Sequence, residues 1–320
     1  MNILITGAQG YIGGRLVEYL SEAGGYQQKL LVRQDKKWPF AWYNASDKFT
    51  VDFSKSAPLL ANYCADVDVV VHLAALNDRD CARDPVFAHR VNVEGTEQLL
   101  NAAVGAGVKR FIYLSTMHVY GAMQGNIDET RSPQPIYPYA TTHLAAEQKL
   151  RDFHEKGKIE GVILRLTNSF GRPVHSSVNC WDLLLNDLAR QAVVGNHMVL
   201  NSSGFQYRDF VPLSFVCEVI KRFFTVPADA IQNPIFNIGG SHTVPIREMV
   251  KKLVDSYSML YGTQVDVDYG LEPFQNKVSP FHVNVDRLNA LGVLCQTSIE
   301  TELSQLLQFV AANKQALSVV

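Results

Sequence analysis

Met1-Asn2-Ile3-Leu4-Ile5-Thr6-Gly7-Ala8-Gln9-Gly10-Tyr11-Ile12-Gly13 opens the chain and decides how the rest is read. Asn2 to Thr6 is a short apolar run with the length of a buried parallel strand. Glycines follow at 7, 10 and 13, and Arg15 to Ala23 reads as a helix. Each glycine has a physical role in a strand-to-helix turn of this kind. Gly7 permits the tight bend, Gly10 lets the backbone approach a pyrophosphate, and Gly13 lets the helix pack close to the strand. The helix N-terminus then offers free N–H groups and a positive dipole end to phosphate oxygens.

Outward from this turn, strands and helices alternate. Lys29 to Arg33 and Asp68 to Leu73 are predicted strands, and Val93 to Ala106 is a predicted helix closed by Gly105-Ala106-Gly107. Arg110 to Ser115 is a strand, Tyr139 to Glu155 a helix, and Gly161 to Leu166 a strand. The rhythm is that of an α/β protein with a Rossmann-type, doubly wound parallel sheet. Ligands of such sheets sit at the carboxyl ends of the strands, where Thr6, Arg33, Ala74, Ser115 and Leu166 fall. Residues 1–167 are expected to form the dinucleotide-binding domain. Residues 168–320 are expected to be mainly a smaller substrate-binding lobe that returns some segments to the sheet.

Composition narrows the class. The 320 residues carry 47% apolar content, enough for one large core or two modest ones, and a net charge of -2. No basic stretch points to nucleic acid or a membrane surface, and no apolar run reaches spanning length. Neither a secretory signal pattern nor a metal-ligand spacing is present. Five scattered cysteines read as reduced, mostly buried thiols, so the expected location is the cytoplasm and no metal is expected.

The motifs in their order resemble those of the extended short-chain dehydrogenase/reductases of the nucleotide-sugar epimerase/dehydratase family. The resemblance runs from Thr6-Gly-Ala-Gln-Gly-Tyr-Ile-Gly13 through His72-Leu-Ala-Ala75, Asn92-Val-Glu-Gly-Thr96 and Leu114-Ser-Thr-Met-His-Val-Tyr-Gly121. It continues through the Tyr139 helix, Arg165-Leu-Thr-Asn-Ser-Phe-Gly171, Arg208-Asp209-Phe210 and Phe236-Asn-Ile-Gly239. Any one motif is weak; eight at matching separations are specific. The resemblance implies a nicotinamide cofactor held by Gly7, Gln9, Gly10, Tyr11, Ile12, Arg33, Asp52, Phe53, Leu73, Ala74, Ala75, Tyr139 and His143. It implies a nucleotide-sugar substrate met by Thr116, Met117, His118, Asn168 and Arg208, and a homodimer built through the helices Val93–Ala106 and Tyr139–Glu155. Charge bears on the cofactor: Arg33 ending the second strand suits the extra phosphate of NADP, whereas Asp35 in its place would suit the ribose of NAD.

The resemblance also assigns the chemistry. Tyr139 is the acid/base, Thr116 relays a proton between it and the sugar oxygen, and His143 stands where the family carries lysine. Unperturbed tyrosine has a pKa of about 10, and a cation one helical turn away lowers it. Histidine, with an ordinary pKa of about 6.5, is mostly neutral at pH 7, so it assists Tyr139 less while still able to bond a ribose hydroxyl. Dehydratases carry Asp-Glu where this chain has Met117-His118, which argues against elimination of water. His118 is either a near-neutral acid/base or structural. Arg208 either grips the diphosphate or pairs with Asp209. Trp181 to Val194 is expected as a lobe helix with Leu183, Leu184, Leu188 and Ala192 on its apolar face, and Ser298 to Ala312 as a final helix. Three readings follow: an NADP-dependent reductase of a nucleotide-linked keto-sugar, an epimerase with retained cofactor, or a nucleotide-binding protein without turnover.

Overall fold

The computed structural model describes residues 1–271 and 280–318. Its centre is a seven-stranded parallel sheet of β1 (Asn2–Thr6), β2 (Gln27–Val32), β3 (Asp47–Thr50), β4 (Val69–His72), β5 (Arg110–Thr116), β6 (Glu160–Leu166) and β7 (Ile235–Ile238). The order across the sheet is β7-β6-β5-β4-β1-β2-β3. The order in which strands are added therefore reverses between β1 and β4, the switch point where a crevice opens at the strand ends. Thr6 pairs with His72, His72 with Tyr113, and Thr116 with Leu166, so these residues share one edge of the sheet.

Long stretches of β1, β4, β5 and β6 are buried on both faces, which is why they read as continuous apolar runs. The faces are covered by α1 (Tyr11–Ala23), α2 (Gly95–Gly105), α3 (Pro138–Glu155) and α5 (Leu213–Arg222). In the second half α4 (Leu184–Gly195), α6 (Ile246–Tyr261) and α7 (Ile299–Ala312) pack together around small two- and three-stranded sheets. The strand Tyr207–Pro212 joins Asn168–Phe170 on one side and Thr243–Pro245 on the other.

Several boundaries differ from the sequence reading. α1 starts at Tyr11, four residues before the expected Arg15, because Gly10 caps it. The second strand ends at Val32, leaving Arg33 just beyond it. α4 starts at Leu184 and not Trp181; Leu183 precedes it and is exposed, so it lies off the apolar face, which is formed by Leu185, Leu188, Ala189 and Ala192. The expected helix 93–106 is a π-helical turn, Arg90–Glu94, running into α2. β3 was not foreseen, because its Asp-Lys-Phe-Thr sequence is half polar, as edge strands are. Ser298 is the N-cap of α7, its hydroxyl accepting from the Thr301 amide.

One buried ion pair sets the position of α3. Arg165 on β6 and Glu147 on α3 meet at 2.6 Å with both side chains 1% exposed, and the Ser115 hydroxyl donates to the same carboxylate. Tyr120 lies over the Arg165 guanidinium at 4.6 Å. Removing one partner of such a pair strands a buried charge, so α3 is pinned to the sheet two turns from Tyr139.

Candidate active site

The opening turn is closed by geometry that only glycine tolerates. Gly7 has φ +66°, and a Cβ there would lie 2.9 Å from the Leu73 backbone. The Gly10 amide donates to the Gly7 carbonyl at 2.8 Å. A Cβ on Gly13 would sit 2.1 Å from that same carbonyl oxygen, so α1 rests directly on the turn. The first amides of α1 have no partner one turn back and face the strand ends.

Beside the turn, β1 and β4 are stitched by a buried histidine. The Thr6 hydroxyl oxygen accepts from the Leu73 and Ala74 amides at 3.1 and 3.0 Å, which commits its hydrogen to His72 Nδ1 at 2.7 Å. His72 Nε2–H then donates to the Thr96 hydroxyl at 2.9 Å, and Thr96 donates to the Asn92 carbonyl at 2.6 Å. Burial, and then the neighbouring His143, push the His72 pKa down to about 3, so the ring is neutral. The network holds Leu73, Ala74 and Ala75 at the crevice. Asn92 extends it: its side chain accepts from the Leu76 amide and donates to Thr142 on α3.

Tyr139 lies on the first turn of α3, beside Thr116 at the end of β5, whose hydroxyl accepts from the His118 amide at 3.2 Å. Loss of surrounding water holds the Tyr139 pKa well above the ordinary tyrosine value; Cys81 and Tyr137 add to this, and the nearby Thr116 hydroxyl opposes it. His143, one turn on, packs its ring against Tyr139 with centroids 4.5 Å apart. It is 3% exposed. Its Nδ1 is 2.8 Å from the Tyr113 hydroxyl, and its Nε2 has no hydrogen-bond partner among the described residues. Burial, and then His118, lower its pKa to about 3, so it is uncharged at neutral pH.

His118, Tyr137 and Arg208 gather beside Tyr139. The His118 ring lies 5.5 Å from Tyr137 and 6.4 Å from Tyr139. Loss of surrounding water, and then the charge of Arg208, lower the His118 pKa. Tyr137 is pushed up to about 12 by burial and then by Asp78, with Arg208 opposing. Arg208 donates to the Asn168 side chain at 3.3 Å, and Asn168 donates to the Asp209 carbonyl. The alternative Arg208–Asp209 pairing does not form. Asp209 is buried and accepts instead from Thr167, the Gly240 and His242 amides and Thr243. Met117 is buried in the main core, so its side chain is turned away from this group.

At the other end of the crevice Arg33 is exposed and makes no hydrogen bond or ion pair among the described residues. Asp35 accepts from the Tyr43 hydroxyl, and Gln9 donates to that hydroxyl and to the Lys36 carbonyl. Asp52 folds back on Ser54, whose amide and hydroxyl hold its pKa below the usual range. Phe53 is buried against Gly95. The Tyr11 hydroxyl donates to the Gly171 carbonyl, tying α1 to the second half. Ile12 packs against the main core. Sequence reasoning overlooked Tyr113 and quoted Asn92 and Asp209 without their actual partners, which lie 30 to 50 residues away where no local pattern announces them.

A glycine turn with no room for a Cβ at the end of β1, in a seven-stranded parallel sheet flanked by helices, defines a Rossmann-type α/β fold. The chain belongs to the NAD dependent epimerase/dehydratase family, whose model matches residues 3–239. It is 28% identical to the dTDP-D-glucose 4,6-dehydratase of Mus musculus across 79% of this chain and 72% of that protein. It is 26% identical to the UDP-glucose 4-epimerase of Rhizobium meliloti (strain 1021) across 84% of each. The fold superposes on MoeE5 in complex with UDP-glucuronic acid and NAD with a TM-score of 0.79 and 25% identity, covering 98% of this chain and all of that one.

Proposed function

We propose that the chain is a nicotinamide-dependent oxidoreductase of a nucleotide-linked sugar, run in the direction that reduces a keto-sugar, with His143 in the place of the family's lysine. The observation that carries this reading is the state of Tyr139. Its hydroxyl is largely desolvated beside Thr116, and its neighbour one helical turn on is a neutral imidazole, so it keeps its proton. A phenol that keeps its proton is an acid, and reduction of a carbonyl needs an acid at the oxygen. When bound, the reduced nicotinamide supplies hydride. Tyr139, directly or through Thr116, gives its proton to the carbonyl oxygen and regains one from solvent. Arg208 and Asn168 hold the diphosphate, as a planar guanidinium suits phosphate oxygens. The glycine turn cradles the cofactor pyrophosphate, and the open Nε2 of His143 meets a ribose hydroxyl. The free guanidinium of Arg33 supports NADP over NAD.

Epimerisation is the second reading, supported by the similarity to UDP-glucose 4-epimerase. It asks Tyr139 to act first as a base, which an uncharged neighbour does not favour. Elimination of water is disfavoured, since Met117 is buried and neither Met117 nor His118 supplies a carboxyl group. The exposed apolar Val86 and Phe87, on the short helix leading into α2, support a homodimer across that helical face.

The test is nicotinamide absorbance with purified protein, NADPH or NADH, and a panel of nucleotide-linked keto-sugars and parent sugars. Loss of NADPH absorbance with one keto-sugar is expected. An interconverted parent sugar with no net absorbance change would replace this reading with epimerisation. No chemistry with any sugar would leave a nucleotide-binding protein without turnover.

A further inference from the structure

His143 is buried, and its ring can be neutral in two ways. The proton on Nδ1 would donate to the Tyr113 oxygen; the proton on Nε2 would leave Nδ1 to accept from the Tyr113 hydroxyl. The two arrangements are not equivalent. Tyr113 is 1% exposed, and His143 Nδ1 is the one hydrogen-bond partner of its hydroxyl among the described residues. With the proton on Nδ1, the Tyr113 O–H has no acceptor and His143 Nε2 has no donor, so two buried groups go unsatisfied. With the proton on Nε2, the Tyr113–His143 bond is complete and a single group remains open, the Nε2–H. The same logic governs His72 on the adjacent strand, where Thr6 is forced to donate to Nδ1 and Nε2–H points outward to Thr96.

We infer that Tyr113 is a positioning residue: its hydroxyl donates to Nδ1 and locks His143 as the Nε2–H tautomer, making that nitrogen a neutral hydrogen-bond donor for a sugar hydroxyl of the nicotinamide cofactor. This rests on the cofactor reading given above. A lysine ammonium carries three donors and needs no such partner, whereas a histidine at this position delivers a donor only if something holds the other nitrogen as acceptor. Tyr113 lies on β5 and His143 on α3, 30 residues apart, and Tyr113 packs in the same buried layer as Ala146 and Leu150 of α3.

The tautomer is read directly by long-range proton–nitrogen NMR on nitrogen-15-labelled protein, with the His143 signal assigned by its absence in His143→Lys. The expected result is a protonated Nε2 and an acceptor Nδ1 in the wild type; a protonated Nδ1 overturns the inference, with no variant needed. Tyr113→Phe keeps the ring volume and removes the donor. It should give a mixture of tautomers and weaken NADPH or NADH binding by about tenfold, the loss of one hydrogen bond's worth of affinity. In the His143→Lys background the same change should alter affinity by less than about twofold. Equal losses in both backgrounds would show that Tyr113 merely supports the packing and would also overturn it. A wild-type protein with the expected tautomer that binds neither dinucleotide would instead refute the cofactor reading and leave the tautomer assignment standing.

Discussion

At the scale of single residues, the proposed function makes Tyr139 an acid without a cation beside it. Tyr139 is held protonated by burial, and His143 is held neutral by the same burial. Tyr139→Phe should therefore lower the reduction rate by about a hundredfold or more, the usual worth of a positioned proton donor. Cofactor affinity, measured by fluorescence titration, should be unchanged. The pH dependence has a definite sign. Because the pKa of Tyr139 is raised, its acid form persists above the ordinary tyrosine range, and kcat/KM for reduction should stay flat from pH 7 to about 9. His143→Lys would introduce a cation, favour the phenolate and pull the alkaline fall to lower pH. A wild-type rate that instead climbs steadily with pH would show that Tyr139 works as a base.

At the scale of elements, α1 and the turn before it form a single unit. The α1 backbone at Gly13 stands so close to the Gly7 carbonyl that a methyl group has no place. Gly13→Ala should push the helix off the strand, lower stability by about 1–3 kcal/mol as overpacking does, and abolish dinucleotide binding. Thermal melts and a cofactor titration on the same sample check both effects; wild-type values in both would show the contact to be slack. This junction was legible in the sequence, because glycine spacing records a steric requirement directly. The helix Pro138–Glu155 was equally legible, its start displaced by one residue because Pro138 suits the first helical position. The π-helical turn Arg90–Glu94 was not, since nothing in Arg-Val-Asn-Val-Glu distinguishes it from an ordinary helical turn. Its consequence is tertiary: Asn92 is buried where it bonds both the Leu76 amide and Thr142.

At the scale of the whole molecule, two neutral histidines are buried where strands, helices and site meet. His72 and His143 both have pKa values lowered from about 6.5 to about 3, so the unfolded chain takes up protons more readily than the folded one in that interval. Their contribution to stability is complete above pH 6.5 and is lost as pH falls toward 3. The limiting slope is about 1.4 kcal/mol per pH unit for each ring. Melting temperature should drop steeply between pH 6.5 and 4.5, and a His143→Gln variant should show a shallower drop; identical slopes would mean that His143 is charged in the fold. The sequence by itself determined the alternating strands and helices, the glycine turn and the absence of a cation four residues after Tyr139, because periodicity, steric demand and charge are local properties of residues. Only the tertiary structure decided that Asp209 is consumed by Thr167, Gly240, His242 and Thr243 and leaves Arg208 to Asn168. It also decided that Met117 turns into the core, that Tyr113 reaches His143, and that burial in place of a neighbouring charge sets the titration of Tyr139. Hydrogen-bond partners and desolvation arise from which distant segments fold against one another, so they come into being with the packed molecule.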